Sequence, residues 1–273
     1  MTLQAFQTPD GFLTIAPFDH RNSLAEKFHF NIQNPDDFAL FLELKKLFMS
    51  QLSPYVSSVL TDPDIGIETI ALKASKTGLF LSLEESSYDS DHDAMTILKE
   101  NWGIDEIKKR GAGAKLLVYF NPLKPTATKK LELIRVLFEE AKKKGIIFLL
   151  EPVLYGVADK NWEIVHLQMC ELVAPYCDIL KIQYPGSAIS CEKVNELHDH
   201  WILLSRGVLY EEFARDLRIA AAAGCTGFAA GRAVWQEVEA TKDPVHWKQF
   251  LDDVAVPRLI ELTQILRSSY KAS

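Results

Sequence analysis

Lys181 stands in the apolar run Asp178-Ile179-Leu180-Lys181-Ile182-Gln183, and three other apolar runs carry Lys115, Glu151 and Asp19 in comparable places. An ammonium placed inside a buried strand is costly unless it is paired or used. A lysine desolvated beside another cation loses proton affinity, and a neutral amine is what attacks a sugar carbonyl to form a Schiff base.

The elements that must position these residues follow from the hydrophobic pattern. Short apolar runs alternate with longer amphipathic stretches, the pattern of βα units around a parallel sheet. Strands are expected at Phe12 to Phe18, Ser57 to Leu60, Leu79 to Leu83, Lys115 to Phe120, Ile146 to Glu151, Ile179 to Tyr184, Trp201 to Leu204 and Gly227 to Ala230. Helices are expected at Pro35 to Leu52, Thr126 to Lys144, Asn161 to Ala174, Ser190 to Leu197, Tyr210 to Ala223 and Trp247 to Ser269. Gly145 and Gly224 fit glycine stops just past their helices. Eight strands with intervening helices predict a (β/α)8 TIM barrel, an α/β fold, as one domain over residues 1–273.

In that architecture ligands sit at the carboxyl ends of the strands. Asp19, Asp62, Glu84, Glu151, Lys181, Ser205 and Arg232 all fall at or just past an expected strand end. The steps from 115 to 151, 181, 205 and 232 each match about one βα unit, for which roughly 30 residues is typical.

The chain resembles the class I aldolases of the tagatose-1,6-bisphosphate aldolase and sulfofructosephosphate aldolase family. The matching stretches are Phe18-Asp19-His20-Arg21, Asp62-Pro63-Asp64-Ile65-Gly66, Lys115 to Phe120, Leu150-Glu151-Pro152-Val153-Leu154-Tyr155, Asp178 to Lys181, Leu204-Ser205-Arg206-Gly207-Val208 and Gly227 to Trp235. They run in family order from about residue 12 to about residue 235.

The resemblance implies that Lys181 forms the Schiff base with the ketose C2 carbonyl, and that Lys115 is the neighbouring cation that keeps it partly deprotonated. It makes Glu151 the acid/base that takes the C4 hydroxyl proton, with Asp19 orienting Lys115 or relaying protons. The iminium is the electron sink, so no metal or cofactor is required. Barrel geometry puts a phosphate site in the loops after strands seven and eight, where Ser205, Arg206, Gly207, Gly231 and Arg232 fall; Arg21 is a further candidate for substrate binding. Departures from the family pattern bear on specificity: Asn22 replaces a glycine, Gln183 a glutamate two residues past the lysine, and Arg206 a small residue.

Each residue also has a plainer structural reading. Lys181 could snorkel to the rim or pair with Asp178, Lys115 could make a surface salt bridge, and Asp19 could cap the next helix. His198-Asp199-His200 places two imidazoles at i and i+2, which share no helical face, so a metal site is not expected there. The run Lys142 to Lys144 reads as a solvated helix end, and Phe38, Phe41, Leu42, Leu44 and Phe48 read as core.

The net charge of −7 argues against a nucleic-acid partner. Cys170, Cys177, Cys191 and Cys225 show no disulfide or metal spacing and read as reduced thiols. With no signal-peptide pattern and no apolar run of membrane length, a cytoplasmic protein is expected. The expected activity is cleavage of a ketose 1-phosphate or 1,6-bisphosphate to dihydroxyacetone phosphate and an aldehyde. Alternatives are an aldolase for a deoxy sugar phosphate or a deoxy-keto sugar-acid phosphate, or a non-catalytic phosphosugar-binding regulator. The partner is a small sugar phosphate, and the family resemblance implies a homo-oligomer.

Overall fold

Eight parallel strands close into a barrel in chain order, with β8 pairing back onto β1, in the computed structural model, which describes residues 1–85, 91–240 and 242–270. The strands are β1 (Leu13–Pro17), β2 (Ser58–Thr61), β3 (Gly78–Ser82), β4 (Gly113–Tyr119), β5 (Phe148–Val153), β6 (Ile179–Ile182), β7 (Trp201–Leu204) and β8 (Gly227–Ala229). All eight coincide with the expected runs. The differences lie at the ends: β4 starts two residues before Lys115 and β5 continues two past Glu151, so both residues sit inside their strands.

The helices are α1 (Asn22–Lys27), α2 (Pro35–Leu52), α3 (Ile104–Lys109), α4 (Ala127–Lys144), α5 (Trp162–Val173), α6 (Ala188–Leu197), α7 (Tyr210–Ala222), α8 (Arg232–Trp235), α9 (Pro244–Phe250) and α10 (Val256–Ser269). The short ones, α1, α3 and α8, were not expected from the sequence: each spans too few residues to show a 3.6-residue period. A 3-10 helix, Gly66–Leu72, stands between β2 and β3. The single C-terminal helix expected from Trp247 to Ser269 is instead α9, a π turn at Leu251–Ala255, and α10. Pro257, in the first turn of α10, explains the break, since it has no N–H to donate and its ring crowds the carbonyl four residues back. Gly145 ends α4 in the left-handed region at φ 67°, and Gly224 follows α7 at φ 97°, as helix stops require.

Strand alternation decides which residues face the barrel axis. Leu13, Ile15, Leu60, Phe80, Leu149, Ile179, Ile202 and Ala229 form an apolar cluster of their own, plugged from the amino-terminal end by Phe6, whose ring lies 4.4 Å from that of Phe80. The neighbouring positions, such as Ala114, Leu116, Val118, Leu150 and Leu180, join the larger core between barrel and helices. Phe41, Leu44 and Phe48 of α2 are buried in that outer core, with Phe38 and Leu42 packed at its edge. Two residues along from the axial plug, the same alternation points Glu151 and Lys181 inward at the carboxyl end.

Candidate active site

The register that pairs Leu149 with Ile179 brings Glu151 level with Lys181 on the adjacent strand. Lys115 pairs one step lower, opposite Leu149, and its long side chain reaches up to the same layer. Glu151 Oε2 lies 2.9 Å from Lys181 Nζ and 3.1 Å from Lys115 Nζ. The two ammonium groups therefore share one carboxylate oxygen. Lys115 also meets Asp19 Oδ2 at 3.0 Å and Glu84 Oε1 at 2.5 Å. Lys181 is 4% exposed and Lys115 1%, so the snorkelling and surface-bridge readings do not hold. Asp178 is not the partner of Lys181 either; its Oδ2 accepts the backbone N–H of Phe148 at 2.8 Å.

Asp19 does not cap a helix: α1 has Arg21 at its N-cap. Burial raises the Asp19 carboxyl, but the charges of Lys115 and Lys181 and the Lys115 hydrogen bond outweigh it and hold the group well below the usual carboxylate range. Glu151 behaves alike, with burial opposing and the two lysines prevailing, so its pKa is lowered. Both are carboxylates at neutral pH.

Glu84 belongs to this cluster and was not among the assigned site residues, although its place past a strand end marked it. Its second oxygen accepts the backbone N–H of Leu117 at 3.2 Å, tying the end of β3 to β4. His20 is also brought in. It lies edge-on to Trp235, 5.8 Å between ring centroids, with Nδ1 3.9 Å from Asp19 Oδ1. Burial, with Arg232 and Lys181 nearby, pushes its pKa down to about 4 in spite of Asp19, so it is a neutral imidazole at pH 7. The Asp-His-Arg triplet was the available signal for it. Tyr119, at the end of β4, faces the same space, where burial and the Glu151 charge push its phenol up to about 12.

Asp62 is structural. Fully buried, it pairs with Lys45 of α2 and accepts the backbone N–H groups of Asp64, Ile65 and Gly66. Arg21 lies beside the cluster but is engaged: its guanidinium pairs with Asp64 and donates to the Glu84 carbonyl at 2.8 Å. It holds the turn carrying Glu84, on the side of the barrel mouth away from the loops after β7 and β8. Gln183 is likewise engaged, its Oε1 accepting the Leu154 N–H at 2.8 Å. The amide, just past the end of β6, fixes the chain where it leaves β5, two residues after the strand's Pro152.

The loops after β7 and β8 meet in one cavity with the lysine cluster, lined by Glu151, Lys181, Ser205, Arg206, Gly207, Gly231 and Arg232 together with Asp19 and His20. Ser205 to Val208 form a turn closed by Val208 N–H to the Ser205 carbonyl at 3.0 Å, with Arg206 at φ 50° and Gly207 at φ 78°. Two successive left-handed residues make this a primed turn, which favours glycine at the second place. The Arg232 guanidinium lies over that glycine, and a Cβ on Gly207 would stand 3.1 Å from Arg232 Cζ. Arg206 points its guanidinium at the Trp162 ring, 5.8 Å from the centroid. A second cavity, sharing Asp19, His20 and Lys115's surroundings, opens on the far side towards Glu84, Met95 and Tyr119.

Elsewhere, His198 is satisfied locally: its Nε2 faces the Cys177 carbonyl at 3.2 Å and its Nδ1 accepts the His200 N–H at 3.1 Å. All four cysteines are free and buried. Lys144 pairs with Asp105 and Glu140 at 2.8 and 2.7 Å. Among the described residues no helix is long and apolar enough to cross a membrane.

This chain is 25% identical to tagatose 1,6-diphosphate aldolase 1 of Streptococcus pyogenes, covering 95% of the chain and 92% of that protein. It is 26% identical to tagatose 1,6-diphosphate aldolase 2 of Enterococcus faecalis, covering 86% and 82%. Among solved structures, an archaeal fructose-1,6-bisphosphate aldolase whose catalytic lysine carries the carbinolamine intermediate superposes with a TM-score of 0.67 at 16% identity, covering 96% of each chain. At that identity the likeness speaks for the barrel alone. The DeoC/LacD family aldolase model matches residues 13–237, the span from β1 to just past α8 that contains every lining residue named above, and the chain therefore belongs to the DeoC/LacD family of aldolases.

Proposed function

We propose that this enzyme cleaves a ketose bearing a 1-phosphate, as a 1-phosphate or 1,6-bisphosphate, to dihydroxyacetone phosphate and an aldehyde through a Schiff base on Lys181. The observation that carries this reading is the buried chain Lys181–Glu151–Lys115–Asp19 at the mouth of the barrel, opening into the Ser205–Arg232 cavity. The relatives' activity on tagatose 1,6-diphosphate supports the substrate class.

Glu151 stands close enough to Lys181 to take its proton directly, leaving a neutral amine to attack C2 of the ketose. The protonated Glu151 then gives a proton to the departing C2 hydroxyl, water leaves and the iminium forms. Returned to its carboxylate, Glu151 removes the C4 hydroxyl proton as the C3–C4 bond breaks. The aldehyde departs and the bonding pair flows into the iminium, giving an enamine. Protonation at C3 and hydrolysis release dihydroxyacetone phosphate and restore Lys181. Lys115 keeps Glu151 ionised and positioned between turnovers, and Asp19 and Glu84 balance the charge of Lys115. The C1 phosphate is held by the turn at Ser205 to Gly207, by Gly231 and by the Arg232 guanidinium.

The alternative of a phosphosugar-binding regulator is separated from an enzyme by replacing Lys181 with Ala. An aldolase loses turnover of fructose or tagatose 1-phosphate and of the corresponding 1,6-bisphosphates while phosphate-ligand thermal stabilisation largely remains. Loss of stabilisation together with turnover would show Lys181 to be a structural lysine and overturn this reading.

A further inference from the structure

We infer, building on the aldolase reading, that the ketose carries a single phosphate, at C1, and that the aldehyde it releases is uncharged. With C1 at Arg232 and C2 on Lys181, the carbons beyond C4 extend past Glu151 and Asp19 into the second cavity, which shares Asp19 and His20 with the first. A second phosphate would need a cation there. Among the described residues, each lysine and arginine on that side is already paired with a carboxylate or donates to a carbonyl.

Lys115 is engaged by three carboxylates. Arg21 is paired with Asp64, lies 3.8 Å from Glu85 and donates to the Glu84 carbonyl. Lys99 is paired with the same Asp64 and lies 3.7 Å from Glu85. Beyond Tyr119, Lys130 donates to the carbonyls of His92 and Tyr119 at 2.7 and 2.9 Å, and Lys124 meets Asp93 at 3.1 Å; neither lines the cavity. His20 is neutral at pH 7. The cavity also carries Glu85 and Asp91, while Met95, Ile97 and Leu117 give it apolar wall. An anion entering here would meet carboxylates in a partly desolvated space, whereas a short neutral aldehyde with a hydroxyl or methyl end meets hydrogen-bond acceptors and apolar surface.

The test runs the reaction as condensation of dihydroxyacetone phosphate with glyceraldehyde or with glyceraldehyde 3-phosphate, comparing kcat/KM for the two. Glyceraldehyde is expected to lead by about ten- to hundredfold, the factor one absent charge-assisted hydrogen bond represents. Met95→Lys, a change at a residue 39% exposed on the cavity wall, should move the ratio towards glyceraldehyde 3-phosphate. Preference of the wild-type enzyme for glyceraldehyde 3-phosphate, or a ratio that Met95→Lys leaves unmoved, would overturn the single-phosphate inference and leave the aldolase reading standing. Condensation with neither aldehyde, and no borohydride-stable adduct with dihydroxyacetone phosphate, would overturn both.

Discussion

Glu151 Oε2 stands 2.9 Å from Lys181 Nζ across neighbouring strands, on residues that are 8% and 4% exposed. The pair is fixed by strand register rather than by a loop, since Leu149 opposite Ile179 sets the two residues level. The same oxygen meets Lys115 from below. One carboxylate thus has both a proton to receive and a cation that keeps it ionised.

Replacing Glu151 with Gln keeps the shape and removes the proton acceptor. For a group that works in proton transfer, kcat should fall by about one hundred- to ten-thousandfold with KM changing far less. Steady-state cleavage assays separate the two parameters, and a purely raised KM would assign Glu151 to binding.

Lys115, almost wholly buried, faces Asp19, Glu84 and Glu151, so Lys115→Ala should be costly to the fold as well as to activity. Breaking a buried ionic cluster by removing one partner costs roughly 3–5 kcal/mol. Urea unfolding of the variant would show this as a lowered midpoint; an unchanged midpoint would mean that the carboxylates find water.

The barrel and the lysine positions were legible in the sequence because both rest on strand alternation. Lys115, Glu151 and Lys181 interrupt apolar runs at places where a period of two turns them inward, and all eight strands fall on the expected runs. What was not legible depends on partners far away in the chain. Arg21 looks like a ligand-binding cation until Asp64, 43 residues on, is seen to hold it. Glu84 joins Lys115 across 31 residues through a bend after β3 that no local pattern announces. Gln183 reads as a change of charge beside the lysine, yet its amide is spent on the Leu154 backbone.

Arg232 and Gly207 form one unit. Arg232→Met should lower kcat/KM for phosphorylated ketose by about ten- to hundredfold, the worth of a charged hydrogen-bonded contact. Gly207→Ala should do so more mildly, because the residue sits at φ 78° with Arg232 3.1 Å from the added Cβ. Both effects should appear mainly in KM, and phosphate protection in thermal unfolding would check them independently.

Stability should decline on acidification from near neutrality. Burial holds His20 and His166 at about 4, below the ordinary 6.5, so between those values the unfolded chain binds more protons and stability falls as pH falls. The lowered carboxylates Asp19 and Glu151 extend the decline below the ordinary carboxylate range in the same direction. His166→Gln should flatten the slope of unfolding free energy between pH 6.5 and 4 by about one proton, read from urea titrations across that range. An unaltered slope would mean that His166 is protonated in the folded protein.

The most direct measurement is borohydride reduction of the enzyme mixed with dihydroxyacetone phosphate, followed by peptide mass spectrometry. A Schiff-base mechanism on this site predicts a reduced adduct on Lys181 that is absent without borohydride. An adduct on Lys115 instead, or no adduct on any lysine while dihydroxyacetone phosphate demonstrably binds, would contradict it.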